Sequence, residues 1–172
     1  AWVNEADPID GIDNDDNGFV DDNLGWDFTN GDNDPTDDFG HGTHVTGIAV
    51  AGLNNGVGIA GMSKSKVMVL KVFDSGGDGT WLAIAEAIAY AVDNGARVLN
   101  YSGGGSGGAG VLANMVTYAH DNDMSVVAAA GNQGRNVQFF PAAYPGTIAV
   151  SATSASDTIW PSSNSGNYID VA

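Results

Sequence analysis

Residues 38–47 run Asp38, Phe39, Gly40, His41, Gly42, Thr43, His44, Val45, Thr46, Gly47. A histidine between two glycines at the start of a small-residue helix keeps its ring free at the helix end while its backbone packs closely, which suits a general base. Either His41 or His44 taken alone reads better as a cap or core residue, and the pair lacks the Glu and the spacing of a helical zinc site. A second chemically able stretch lies at the front. From Asp13 to Asp21 the chain follows D-x-D-x-N-G-x-x-D, the opening of an EF-hand loop, with oxygen ligands from Asp13, Asp15, Asn17 and Asp21, a carbonyl from Phe19, and Gly18 at the sharp turn. The position for the closing bidentate Glu holds Leu24, so Asp22 or another nearby Asp has to complete the shell. The plain alternative is a solvated acidic loop, in which repulsion among carboxylates without a cation makes order costly.

Two further patterns carry little. Gly103, Gly105 and Gly108 satisfy G-x-G-x-x-G, but no acidic residue stands at the end of the next strand run, which passes from Val126 to Ala130 into Gly131 and Asn132. Residues 104–108 satisfy the G-x-S-x-G nucleophile elbow, yet five of the six residues 103–108 are glycine, so a match there is nearly automatic. A flexible glycine loop is the better reading of both.

The elements that must position these residues follow from length and pattern. The chain has 172 residues, 43% apolar and 15% charged, enough to bury a sizeable core and unlike a disordered or coiled-coil chain. Residues 1–63 hold 13 of its 21 acids and no Lys or Arg. That imbalance argues against nucleic acid and anionic membrane surfaces as partners and favours cations. With no cysteine, disulfides, thiolate metal sites and Cys nucleophiles are excluded. Residues 1–40 read as an ordered loop region pinned by Trp2, Phe19, Trp26 and Phe28. Beyond them, apolar runs at 67–72, 97–100, 126–129 and 148–150 read as strands buried on both faces, alternating with helices over 41–51, 80–93 and 109–121. Thr80 caps the second helix and Asn94-Gly95 stops it. This alternation implies an α/β fold, a three-layer doubly wound parallel sheet with helices on both faces and ligands at the carboxyl ends of the strands.

Taken in order, the segments 40–47, 53–61, 98–104, 128–132 and 141–150 resemble the subtilisin-like serine proteases (peptidase S8, the subtilases), and the resemblance covers nearly the whole chain. It implies that His41 is the general base and Asn132 the oxyanion donor, and that Ser102, Gly103 and Gly104 face Ala129, Ala130 and Gly131 across an extended peptide substrate. The segment from Leu53 to Gly61 resembles the family's calcium loop, with Leu53, Asn55, Val57 and Ile59 as ligands, and the Asp-rich front resembles a calcium-binding insertion common in the family. Gly103 departs from the apolar residue usual there. No Asp-Ser/Thr-Gly turn precedes the histidine segment, where the resemblance puts the family's catalytic Asp, and its nucleophile segment, Gly-Thr-Ser-Met-Ala, does not occur.

The resemblance therefore implies that residues 1–172 are the central part of one catalytic domain, with 1–40 its calcium-binding insertion region. It points to a secreted, Ca2+-dependent serine endopeptidase, represented by a segment inactive without its Asp and Ser. The alternative is a non-catalytic calcium- or peptide-binding module.

Overall fold

The computed structural model describes all residues, 1–172. Along the chain run β1 (Gly25–Asp27), α1 (His41–Val50), β2 (Val69–Lys71), α2 (Trp81–Asp93), β3 (Val98–Tyr101), α3 (Gly110–Asp121), β4 (Ser125–Ala129) and β5 (Thr147–Val150). Two compact units divide inside α2, one spanning Ala1–Ala87 and the other Ile88–Ala172. No helix is long and apolar enough to cross a membrane.

In the first unit β1 and β2 pair in parallel, Gly25 with Val69, Trp26 with Leu70 and Asp27 with Lys71. Residues 1–40 are therefore not all loop, as their composition implies: they contain β1. Three residues carry no readable period, and the strand exists because Gly25 lets two backbones meet. Its φ is +126°, and a Cβ there would overlap the Val69 carbonyl. Around it Phe19 stacks edge-on against Trp26 and Phe28, with ring centroids 5.1 and 5.7 Å apart, and the Trp2 N–H donates to the Val67 carbonyl at 2.8 Å. Phe19 thus anchors the front loop through its ring to Trp26 and Phe28, while Trp2 is held through its backbone.

Helix α1 starts where expected and buries none of its residues. Beyond it the chain makes an exposed excursion over 52–60 and returns: the N–H groups of Met62 and Ser63 donate to the carbonyls of Ile48 and Ala49 at 3.0 and 2.9 Å. These carbonyls of the last turn lack intrahelical donors, so the returning strand of chain satisfies them. Helix α2 opens with the Thr80 hydroxyl accepting the Ala83 N–H at 3.1 Å. It closes at Gly95, φ +73°, where the Ala96 N–H reaches back to the Ala91 carbonyl at 2.9 Å. Both ends match the expected cap and stop.

The second unit holds the parallel sheet β3-β4-β5. Val126, Ala128 and Ala149 on one face are at most 2% exposed. Helix α3, with Leu112, Val116 and Ala119 fully buried, packs on β4. Val98 and Ile148 on the other face remain 64% and 40% exposed. The strands are therefore not buried on both faces as their apolar runs suggested. Periodicity cannot see which face a helix covers.

Candidate active site

His41 is the first residue of α1 and is exposed. The N-cap, Gly40, has φ +92° and no side chain to satisfy the first-turn N–H groups. Asp37 does so from outside the helix. One of its carboxylate oxygens accepts the Gly40 and Phe39 N–H groups at 2.8 and 3.0 Å, and the other accepts the Thr43 N–H at 2.7 Å. With the Thr43 hydroxyl as the strongest contributor, these bonds hold the Asp37 carboxyl far below the usual carboxylate range. Asp37→Ala is expected to lower stability by about 1 kcal/mol at pH 7, as for loss of a helix cap. A folded pKa below the unfolded one stabilises above the unfolded value near pH 4, and this is lost as pH falls toward the folded value. Urea unfolding of both proteins at pH 7 and pH 3 should therefore show the gap narrowing in acid.

The neighbouring Asp38 is tied down by Lys71 of β2, whose ammonium lies 3.0 Å from it and 2.8 Å from Asp27. Asp27 is fully buried and also accepts the N–H groups of Thr29 and Asn30 and the Asn30 side-chain amide. Burial opposes its charge, but Lys71 and these amides hold its carboxyl below the usual range. The loop entering α1 is thus braced through one lysine to a buried carboxylate. Neither Asp37 nor Lys71 stood out in the sequence, because a capping Asp three residues before a Gly N-cap matches no short motif.

In the second unit a pocket of about 310 Å³ opens at the carboxyl ends of β3, β4 and β5, the place where parallel sheets bind ligands. Of the residues expected to bind substrate, it gathers Ser102, Ala129, Ala130 and Gly131 together with Asn132, and adds Asn100, Val150 and Ser163. Gly103 and Gly104 do not line it. Gly104, at φ +149°, packs against Phe139 and the Phe140 carbonyl, and Gly105 exchanges backbone hydrogen bonds with Phe140 at 3.0 and 2.9 Å. The Ser102 hydroxyl accepts the Asn100 amide at 3.0 Å. Asn132 is exposed at the pocket, on the turn that begins at Gly131, φ +97°. His41 belongs to the other unit.

The expected calcium ligands fall into two groups. Asp13, Asp15, Asn17 and Asp22 form one hydrogen-bonded cluster: the Asn17 N–H donates to Asp13 and Asp15 at 3.1 and 3.3 Å, and its amide donates to Asp22 at 2.9 Å. The Asn4 amide bridges Asp15 and the fully buried Asp22. Gly18, φ +92°, makes the expected turn, and its N–H donates to Asp13 at 2.8 Å. Asp21 faces elsewhere, its carboxylate accepting the N–H groups of Asp10 and Gly11 at 2.8 and 2.9 Å. Buried Asp7, which the sequence did not single out, accepts the N–H groups of Asn14 and Asp22 at 2.7 and 3.0 Å; the Asn14 N–H does most to lower its pKa, against burial.

No three His, Asp or Glu side chains gather as a preformed metal-holding group. The all-oxygen donors of the first cluster nonetheless fit a hard cation in chemistry; Asp22, expected to complete the shell, belongs to that cluster, and Asp21 is turned away from it. In the second loop Leu53, Val57 and Ile59 are exposed, and the Asn55 side-chain oxygen accepts the Val57 N–H at 3.0 Å.

The subtilase family model, peptidase S8, matches residues 6–172. Thermitase of Thermoactinomyces vulgaris is 44% identical over 149 residues, covering 86% of this chain and 53% of thermitase. The halolysin-like extracellular serine protease Nep of Natrialba magadii is 46% identical over 152 residues, 87% of this chain and 28% of that protein. Among solved structures, the patellamide maturation protease PatA matches with a TM-score of 0.69 and 32% identity, covering 74% of this chain and 48% of that one. The chain thus spans about half or less of these relatives. Parallel sheets with helices agree with that match, and with the family model over residues 6–172 the chain belongs to the subtilase family.

Proposed function

We propose that this chain is the central part of a subtilisin-like serine endopeptidase domain, supplying the general base, an oxyanion donor and much of the peptide-binding surface. The observation that carries the reading is the pocket lined by Ser102 and by Ala129 to Asn132 at the carboxyl ends of the strands, in a chain whose helix α1 opens on His41. Peptide hydrolysis passes through a tetrahedral oxyanion, so a donor must point where that charge develops. Asn132 has the amide for this and stands exposed at the pocket. His41 takes the proton from the attacking hydroxyl and returns it to the leaving amine. Small residues at 129–131 leave room for a substrate side chain, and the end of β3 offers main-chain groups to an extended peptide or protein substrate.

No Asp-Ser/Thr-Gly turn stands ahead of the His41 segment, and the Ser motif does not occur in this sequence. Loss of a triad nucleophile leaves only a residual of about 10³–10⁴ over water in subtilisin. The 172-residue chain is therefore expected to give no detectable turnover of a peptide anilide, and turnover that His41→Ala abolishes overturns this expectation. A polypeptide in which this chain is joined to both motifs is expected to be labelled by a fluorophosphonate and to lose hydrolysis on His41→Ala. The same missing motifs favour a second reading, a calcium- or peptide-binding module without catalysis. Peptide affinity without labelling in any such longer product supports it.

Calcium is the proposed cofactor. Asp13, Asp15, Asn17 and Asp22, with the Phe19 carbonyl, would hold it at the front, and the carbonyls of Leu53, Val57 and Ile59 with Asn55 would hold a second ion. Bound cation supplies positive charge to a region without Lys or Arg and ties the front loops together. Millimolar Ca2+ is expected to raise the melting temperature, and Asp15→Ala to diminish the rise. Equal melting in calcium and in chelator overturns both sites. Export from the cell accords with the relative named extracellular.

A further inference from the structure

We propose that Asn164 is a positioning residue for Asn132, holding the turn that carries the oxyanion donor; this rests on the reading of Asn132 given above. Asn164 lies in a Ser-rich stretch of the second unit, far along the chain from the pocket turn, and is fully buried. Its backbone and side chain reach that turn on both sides of Asn132. The backbone N–H donates to the Gly131 carbonyl at 2.9 Å, and the side-chain amide donates to the Ala130 carbonyl at 2.9 Å and to the Gln133 side-chain oxygen. Its side-chain oxygen accepts the Gln133 N–H at 2.9 Å and the Arg135 N–H at 3.5 Å.

Residue 132 is thus spanned by bonds to its neighbours while its own side chain stays exposed at the pocket. The flanking segments run side by side, with the Gly134 N–H donating to the Ser162 carbonyl at 2.8 Å and the Ser165 N–H to the Arg135 carbonyl at 3.0 Å. Tyr168 adds its hydroxyl to the Ala130 carbonyl at 3.0 Å.

Such a clamp matters for a donor that must meet a developing charge. Gly131 at φ +97° gives the turn backbone freedom that most residues lack, and no cap or strand bond fixes residue 132 itself. Preorganised donors act because they need not reorganise when the charge forms, and a shell of buried hydrogen bonds is what keeps them in place. In subtilisin, removing one oxyanion donor altogether lowers the rate by about 10²–10³. A donor that is present but loosely held should lose part of that, about tenfold.

The test needs no turnover. The 172-residue chain is titrated with a short phosphinic peptide, whose –PO2⁻–CH2– group offers a tetrahedral anionic oxygen, and with the peptide of the same side chains bearing an ordinary amide. The unmodified chain should prefer the phosphinate, and Asn132→Ala should abolish the preference. Asn164→Ala should weaken phosphinate binding about tenfold and leave the amide peptide unchanged. Asn164→Ser, which stays neutral and keeps a hydroxyl able to bond to the turn, should restore part of the loss. It also serves if Asn164→Ala fails to fold. Amide exchange should quicken at Gln133 and Arg135 but not at Ala128 or Ala149.

Phosphinate affinity unchanged in folded Asn164 variants, with Asn132→Ala still losing it, overturns the positioning role and leaves the reading of Asn132 standing. No preference in the unmodified chain, or one that survives Asn132→Ala, overturns that reading and the positioning role with it.

Discussion

Replacing Lys71 by Met is expected to lower the unfolding free energy by about 3–5 kcal/mol, the range seen when one partner of a buried ion pair is removed. Lys71 is the cation facing Asp27, at 2.8 Å, and the two side chains are 10% and 0% exposed. Methionine fills the space but leaves a carboxylate in the interior with only neutral amides from Thr29 and Asn30 around it. The loss is a large share of the 5–15 kcal/mol typical of a domain. Asp38, the other partner of Lys71, is 44% exposed, so Asp38→Ala should change stability by under about 1 kcal/mol. Denaturant unfolding of both variants separates the two contributions. Adding Asp27→Asn to Lys71→Met should recover part of the loss, since the remaining group is then neutral. Equal small effects from Lys71→Met and Asp38→Ala would show that the buried pair does not stabilise this unit.

Gly25→Ala is the second large effect, expected at about 3 kcal/mol or more. Two terms add: a non-glycine residue forced to φ +126° is strained by about 1–3 kcal/mol, and overpacking in a close contact adds about 1–3 kcal/mol. The contact is with backbone, the Val69 carbonyl, so a side-chain rotation cannot relieve it. Gly25 and Lys71 act on the same three-residue pairing of β1 with β2. A double variant should therefore destabilise by less than the sum of the singles, because a pair already parted cannot be parted twice. Gly11, also at positive φ but with open space around it, is the control: alanine there meets only the backbone term.

The helices were the most legible part of the chain. Helix α2 declares both ends locally, through Thr80 and Gly95, and its apolar residues leave no competing period. The longer strands followed from short apolar runs, to within a residue or two at each end. Strand β1 was not legible, since Gly25, Trp26 and Asp27 have no alternation and owe their extended form to a partner 44 positions on. The site divided in the same way. Ser102 and Ala129 to Asn132 could be named from their segments, because their place at strand ends follows from chain order. The packing of Gly104 against Phe139 and Phe140, which takes it off the pocket wall, could not.

The acidic front shows the same division within a single motif. Spacing alone put Asp13, Asp15 and Asn17 together with Gly18 at the turn, because an oxygen-rich loop of that pattern bends in one way. It could not say that Asp21 would turn to the N–H groups of Asp10 and Gly11 while Asp22 turned inward to Asn4 and Asn17. Those choices depend largely on Asn4, Asp10 and Gly11, which precede the motif.

By itself, then, the sequence determined the family, the order and type of the main elements, and the identities of the chemically able residues, since these depend on local period, caps and ordered segments. Only the tertiary structure decided which groups hold them: Asp37 for the helix of His41, Lys71 for buried Asp27, and Asn164 for the turn of Asn132. Each of these is a hydrogen bond or ion pair whose worth comes from burial or from a neighbouring backbone. Burial is a property of the packed chain, and no window of sequence contains it.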